Sequence, residues 1–411
     1  MKKIFVSLAF AFVVLPSLSA QTAPSFGIKF TGYVRTDLIY DSRQSSAANG
    51  LREGHFYLFP DNASYDADSI DINDNPSFHI LSIQTRLRGD ITGPDAFGAK
   101  TSGVIEAEFF GTSEADLNGF RLRHAFTRLD WKNASLLVGQ TWHPIFPTDC
   151  FPGTINFNTG APFTPFSRNP QIKLTYKPGK LAINLTAYSQ RDFTSTGPEG
   201  SGNKYMRNST LPGVNAQVKL PVTANGFAIF GADYKTIRPE LKTASNFENP
   251  NTLGSLAGFA TLHLKTKPVS VTLMGAYVQN ATDLVMIGGY GVAEITDPAT
   301  GVRTFTNLTT ANGWLDVYTN GKKVQAGLFA GYSKNLGSAV ELAGPLYGRG
   351  TNIGYLARIS PRLMIIQEKF TLAAEFETTI AGYGTNDSFG KVIGINPVTN
   401  YRILIAAIYK F

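Results

Sequence analysis

Tyr401-Arg-Ile-Leu-Ile-Ala-Ala-Ile-Tyr-Lys-Phe411 closes the chain, and it puts Tyr401, Ile403, Ile405, Ala407, Tyr409 and Phe411 on one face of an extended strand. Side chains of a strand point to opposite sides at every second residue, so a period of two is the signature to follow outward. The same period opens the chain. Ile28, Phe30, Val34, Leu38 and Tyr40 share a face with Gly32 and Thr36, while Lys29, Thr31, Tyr33, Arg35 and Asp37 take the other. Further in, Leu181, Ile183, Leu185 and Ala187 alternate with Asn184, Thr186, Tyr188 and Gln190. Phe370, Leu372, Ala374, Phe376 and Thr378 alternate with Thr371, Glu375, Glu377 and Thr379.

Such segments predict sixteen strands, near 28–40, 78–90, 99–111, 119–131, 134–143, 170–178, 180–191 and 212–221, then 225–237, 253–266, 269–280, 313–320, 322–335, 351–361, 366–381 and 399–411. The segments 134–143 and 313–320 are short, which leaves fourteen or eighteen open. Long connections (41–77, 144–169, 192–211, 238–252, 281–312, 336–350, 382–398) alternate with tight ones such as Pro178-Gly179, Thr266-Lys267-Pro268 and Asn320-Gly321. An even strand number, with long loops at one end and short turns at the other, describes a transmembrane antiparallel β-barrel, its short turns in the periplasm. Phe30 and Tyr40 fit the two aromatic girdles, since ten residues at a 45° tilt span roughly 23 Å against an apolar band of about 25 Å.

The compartment follows from the other end. Lys2 and Lys3 precede the uncharged run Ile4 to Leu15, then Pro16 and Ser17-Leu18-Ser19-Ala20. These are the parts of a secretory signal peptide, with cleavage expected after Ala20 and the barrel occupying 21–411. The apolar run is shorter than the roughly 20 residues of a spanning helix. No cysteine near the cut points to a lipoprotein, and the single Cys150 excludes an internal disulfide framework. Loss of Lys2 and Lys3 lowers the formal charge from +7 by two, and the remaining basic excess forms no run that would suggest nucleic acid. An unchanging composition argues for one large unit instead of several domains.

Three stretches carry a family resemblance. The terminal strand is similar to the C-terminal signal of outer-membrane barrels, with Tyr409 and Phe411 in the places read by the barrel-insertion machinery. Phe30-Thr-Gly-Tyr-Val-Arg-Thr-Asp-Leu-Ile-Tyr-Asp41 resembles porins of the dicarboxylate-porin-like type. So does Arg121-Leu-Arg-His-Ala-Phe-Thr-Arg-Leu-Asp-Trp131, followed by Val138-Gly-Gln-Thr-Trp142. The resemblance implies a Gram-negative outer-membrane channel, usually homotrimeric, embedded in lipid and lipopolysaccharide. It further implies passage of small hydrophilic solutes and a third loop, about 143–169, folded into the barrel as a constriction.

That loop holds five Phe and, counting Pro170, six Pro. Proline restricts it and Phe needs a surface to pack on, so an inward course avoids a sticky outer patch. It would offer Asp149 to the pore; packing at a subunit interface is the alternative. By alternation Arg35, Arg86, Arg88, Arg121, Arg123, Lys173 and Lys219 point inward, with Glu106 and Glu108. Arginine facing lipid at the midplane costs about 2–4 kcal/mol, so the lumen is its natural place. There these groups either select anionic solutes or brace the barrel against lumen acids, and both can hold. In 119–131, His124, Arg128 and Asp130 share a face with Leu122 and Phe126, and a bulge there could reset the alternation.

Asp61, Asp66, Asp68, Asp71 and Asp74 make the first loop acidic. That is either a solvated surface or a divalent-ion site without EF-hand spacing, and the expectation is no metal and no cofactor. Cys150 reads as a packing residue. Two other functions compete. A barrel enzyme would need a nucleophile and base, but none of the five His sits in a recognisable motif. An uptake channel for hydrophobic solutes would need an apolar lumen and an N-terminal plug.

Overall fold

A computed structural model describes residues 26–47, 56–111, 116 and 118–411. The expected signal peptide and His55 lie outside these residues. The barrel strands are β1 (Gly27–Asp41), β2 in two pieces (Ser77–Leu81 and Arg86–Thr92), β3 (Lys100–Glu108), β4 (Arg121–Asp130) and β5 (Ala134–Trp142). They continue through β6 (Arg168–Tyr176), β7 (Ala182–Tyr188), β8 (Gly213–Thr223), β9 (Gly226–Ile237), β10 (Leu253–Lys265) and β11 (Val269–Gln279). The last five are β12 (Thr309–Thr319), β13 (Val324–Gly337), β14 (Ile353–Gln367), β15 (Phe370–Asn386) and β16 (Val392–Lys410).

Each strand pairs antiparallel with its chain neighbour, and β1 closes on β16 from Tyr33↔Lys410 to Asp41↔Arg402. The result is a closed sixteen-stranded antiparallel barrel. Both short segments of uncertain standing, 134–143 and 313–320, are full members of it. Closure depends on a glycine. Phe411 donates its N–H to the carbonyl of Gly32 at 3.1 Å, and a Cβ on Gly32 would lie 2.8 Å from the Phe411 ring and 2.2 Å from the Arg86 carbonyl.

Alternation assigns the faces as expected. Phe30, Val34, Tyr401, Ile403 and Phe411 are exposed on the lipid side, whereas Asp37, Asp41, Glu375 and Arg402 are buried inside. The anticipated bulge is present where β3 meets β4: Glu106 faces His124 but Ala107 faces Leu122, leaving Arg123 as the extra residue. Leu122 therefore stays on the lipid face while Arg123 and His124 are both buried.

Two features differ from expectation. The last strand begins at Val392, not 399, because β15 and β16 run past the membrane and pair with each other as far as Asn386↔Val392. Gly394, Asn396 and Pro397 there read as a loop in the sequence. The long connection after β11 also carries its own hairpin, Gly288–Asp297 with Val302–Asn307, which pairs with Leu346–Arg349.

Candidate channel constriction

The third loop, between Trp142 and Arg168, lies inside the barrel, where Ile145, Phe146, Phe157, Phe163 and Phe166 are all buried. Wall residues grip it from many sides. Glu375 of β15 accepts the backbone N–H of Ile155 at 2.6 Å and that of Asn156 at 3.2 Å, while Glu377 accepts from the Asn156 side chain. Arg35 of β1 donates to the carbonyl of Ile155 at 2.6 Å, and Arg358 of β14 to that of Ala161 at 2.9 Å. Asp316 of β12 accepts from Gly153 at 2.9 Å. Phe163 packs on β13 at Gly331, where a Cβ would come within 2.5 Å of its ring. Polar backbone removed from water must find such partners, and the inward arginines and glutamates supply them.

The loop does not fill the lumen alone. Phe56, Tyr57 and Leu58 of the first loop are also fully buried. The carbonyl of Tyr57 accepts from Asn158, that of Leu58 from Arg358 and that of Pro60 from the Tyr383 hydroxyl. The Phe56 ring meets Phe110, Phe157, Phe166 and Phe193 at centroid separations of 4.8–6.0 Å. A third inward piece is Leu284–Ile287, tied to the third loop by the N–H of Phe166 on the carbonyl of Leu284. The apolar run 56–59 inside an Asp-rich loop was the available sign of the first insertion.

The expected lumen charges come together on β2, β3 and β4. Arg123 donates to Glu106 at 2.8 Å and to Glu108 at 2.5 Å. Arg86 reaches Glu108 at 3.0 Å, and Arg88 reaches Glu106 at 3.3 Å and Asp90 at 2.7 Å. Arg168 and Asp192, which alternation did not single out, join at 2.7 Å. Arg121 lies 3.5 Å from Asp192 and 3.8 Å from Glu108, and none of its guanidinium nitrogens makes a hydrogen bond.

Arg35, Glu106, Glu108 and Arg123 are buried within this framework. Asp149 and Lys219 pair at 2.8 Å in a more open position, with side chains 52% and 31% exposed, and Lys173 is half-buried. Arg362 of β14 holds Asp316 of β12, and at the closure next to β2 Arg402 of β16 holds Asp41 of β1, both bidentate.

Two open spaces adjoin these groups. One, of about 340 Å³, lies beside the third loop between Asp149, Tyr318, Gln325, Arg362 and Met364. The other, of about 910 Å³, sits at the outer rim and is lined by Arg121, Gln140, Arg191, Asp192 and Arg349.

Cys150 is buried, and burial next to Asp149 pushes its thiol up to about 12, as suits a packing residue. In the first loop Asp71 is taken by Arg43 at 2.7 Å while Asp66 and Asp68 stay exposed. Among the described residues no His, Cys, Asp or Glu cluster could hold a metal ion.

Known proteins agree with this architecture. Residues 17–211 match the model of the DcaP outer membrane protein family, and no curated protein sequence matches. The outer membrane channel DcaP of Acinetobacter baumannii superposes with a TM-score of 0.68 at 17% identity, over 94% of this chain and 97% of that one. The trimer form of OmpT from Vibrio cholerae (TM-score 0.55, 10% identity) and an anion-selective porin from Comamonas acidovorans (TM-score 0.55, 10%) each align over 94% of this chain and 100% of theirs. The closed barrel with its inward third loop thus has the fold of these outer-membrane channels, and residues 17–211 are similar to the DcaP outer membrane protein family.

Proposed function

We propose that the protein is a passive diffusion channel for small hydrophilic, anionic solutes, exported by cleavage of residues 1–20 and working as a homotrimer. The observation that carries this reading is the third loop held across a charged lumen, which narrows the passage without an apolar conduit. Several cations border the open spaces: Arg121, Arg191 and Arg349 at the outer rim, then Arg362 and Lys219 beside the loop. Asp149 and Asp316 answer Lys219 and Arg362 beside the loop, while at the rim Arg121, Arg191 and Arg349 outnumber the carboxylates Asp116 and Asp192. Fixed cations along a narrow aqueous path raise the local anion concentration and repel cations. Similarity in fold to an anion-selective porin and to a trimeric barrel supports the same reading. The polar inner face speaks against uptake of hydrophobic solutes, and the lumen carboxylates are engaged by arginine or loop backbone instead of poised beside a nucleophile.

The test is planar-bilayer conductance of the purified full chain with reversal potentials in a salt gradient. Stepwise conductance with anion preference is expected, and Arg86→Ala with Arg88→Ala should weaken that preference. A folded barrel without conductance would sink the reading.

A further inference from the structure

The periplasmic mouth carries charge that the constriction does not use. Lys29, Lys177, Lys265, Lys323, Lys369 and Lys410 lie in or beside the short turns, and all six are exposed. Phe30, Tyr176, Val324, Phe370 and Tyr409, each facing lipid, stand next to five of them. Alternation therefore turns the lysines toward the lumen. Cross-strand pairing agrees, since Lys29 lies opposite Asp90, Lys410 opposite Tyr33 and Lys265 opposite Ser270. Directly opposed residues of a sheet share a face. Asp90 is bonded to Arg88, Tyr33 lies under the Arg86 guanidinium and Ser270 is buried, so that face is the inner one.

Little at this end answers the charge. Asp90 is taken by Arg88, Asp130 by Arg128 and Asp95 by Lys100, each at 2.7 Å. Among the described residues the six lysines make no side-chain ion pair, and Glu368 is the one unpaired acid of the short turns. The space in front of them is open. Tyr318, Gln325 and Met364, which border the hollow of about 340 Å³ beside the third loop, lie within a few residues of the same turns. No such single-sign ring stands at the outer end, where exposed Lys242 and Lys391 mix with exposed Asp66, Asp68, Glu294 and Glu341.

We propose that these lysines form a second anion filter, in series with the constriction, and that it makes the channel rectify. A ring of one sign at one mouth concentrates counter-ions there. Anions driven from the periplasmic side enter the constriction from an enriched pool, and those driven from outside do not. Current is therefore larger when the extracellular chamber is positive. The ring changes conductance at a given driving force and leaves the equilibrium distribution of solute as it was. The inference rests on the channel reading above and locates part of its selectivity.

Planar-bilayer current–voltage curves of the full chain at ~0.05 and ~1 M salt test it. Biotin on Ala224→Cys, an exposed turn position, lets streptavidin in one chamber report which mouth faces it. At the lower salt, currents at equal and opposite voltages should differ about twofold; at the higher, where screening acts over about 3 Å, their ratio should approach one. Changing the six lysines to Gln should abolish the asymmetry while circular dichroism keeps its β-sheet signature, which shows that the variant folds. Lys265→Gln with Lys323→Gln should lower the ratio. Lys267→Gln with Lys322→Gln, the same charge in the same turns on the lipid-facing parity, should change it little. Symmetric currents through an open channel, the opposite sign, an asymmetry that survives the six substitutions or equal effects of the two pairs would each overturn the filter alone. Absence of any conductance would overturn the channel reading, and the filter with it.

Discussion

Inside the barrel Arg123 is 2% exposed and bonded to both Glu106 and Glu108, whereas at the periplasmic end Lys322 and Lys323 stand exposed on a two-stranded turn. The contrast separates two uses of positive charge. A guanidinium offers five donors in a planar fork, so it can satisfy two carboxylates or two loop carbonyls at once, as Arg358 does with Leu58 and Ala161. Arg358 can be buried because each of its three guanidinium nitrogens finds an acceptor, whereas the buried nitrogens of Arg121 find none. An ammonium on a flexible stem is better left hydrated, and that is where the rim places it. The lumen arginines thus hold loops and walls in position, and the cations left partly open shape the field.

The largest effect should follow from breaking the buried side of this comparison. Arg123→Ala strands Glu106 and Glu108, and a loss of about 3–5 kcal/mol is expected in denaturant titration of the barrel in vesicles. A shift of less than a few tenths would mean that other arginines neutralise the pair. Glu375→Ala removes the acceptor of two buried backbone N–H groups, with an expected cost of roughly 2–3 kcal/mol and a larger, noisier conductance as the third loop loosens. Gly331→Val pushes Phe163 off the wall and should cost about 1–3 kcal/mol with a changed conductance; an unaltered channel would show that the loop yields without penalty.

Toward the open side, effects shrink. Lys219→Ala breaks an exposed pair worth about 0–1 kcal/mol, so stability should hold while anion preference declines in reversal-potential measurements. Cys150 should remain largely unmodified by maleimide at pH 8 in the folded barrel, because its buried thiol stays protonated there, and rapid labelling would show that the loop opens.

Much of this was legible from period two. The apolar face of Tyr401 to Phe411, the inward face of Arg86, Arg88, Glu106 and Glu108, and the room for a bulge within 119–131 all follow from alternation. Arg168 and Asp192 were not, because they sit at a strand end and in a loop where no period operates. The inward course of Phe56–Leu58 was missed for the same reason, since acidic neighbours made the first loop read as wholly solvated.

Local stereochemistry therefore determined the barrel: the pleat, the short turns and the cost of charge in lipid leave one arrangement for these strands. Sequence alone also told which charges face inward. Which of those charges find each other, and which loops enter to meet them, was decided by tertiary structure. Glu375 and Ile155 are 220 positions apart, and only closing the sheet brings them to 2.6 Å. A closed wall fixes the distances across the lumen, and those distances select the partners.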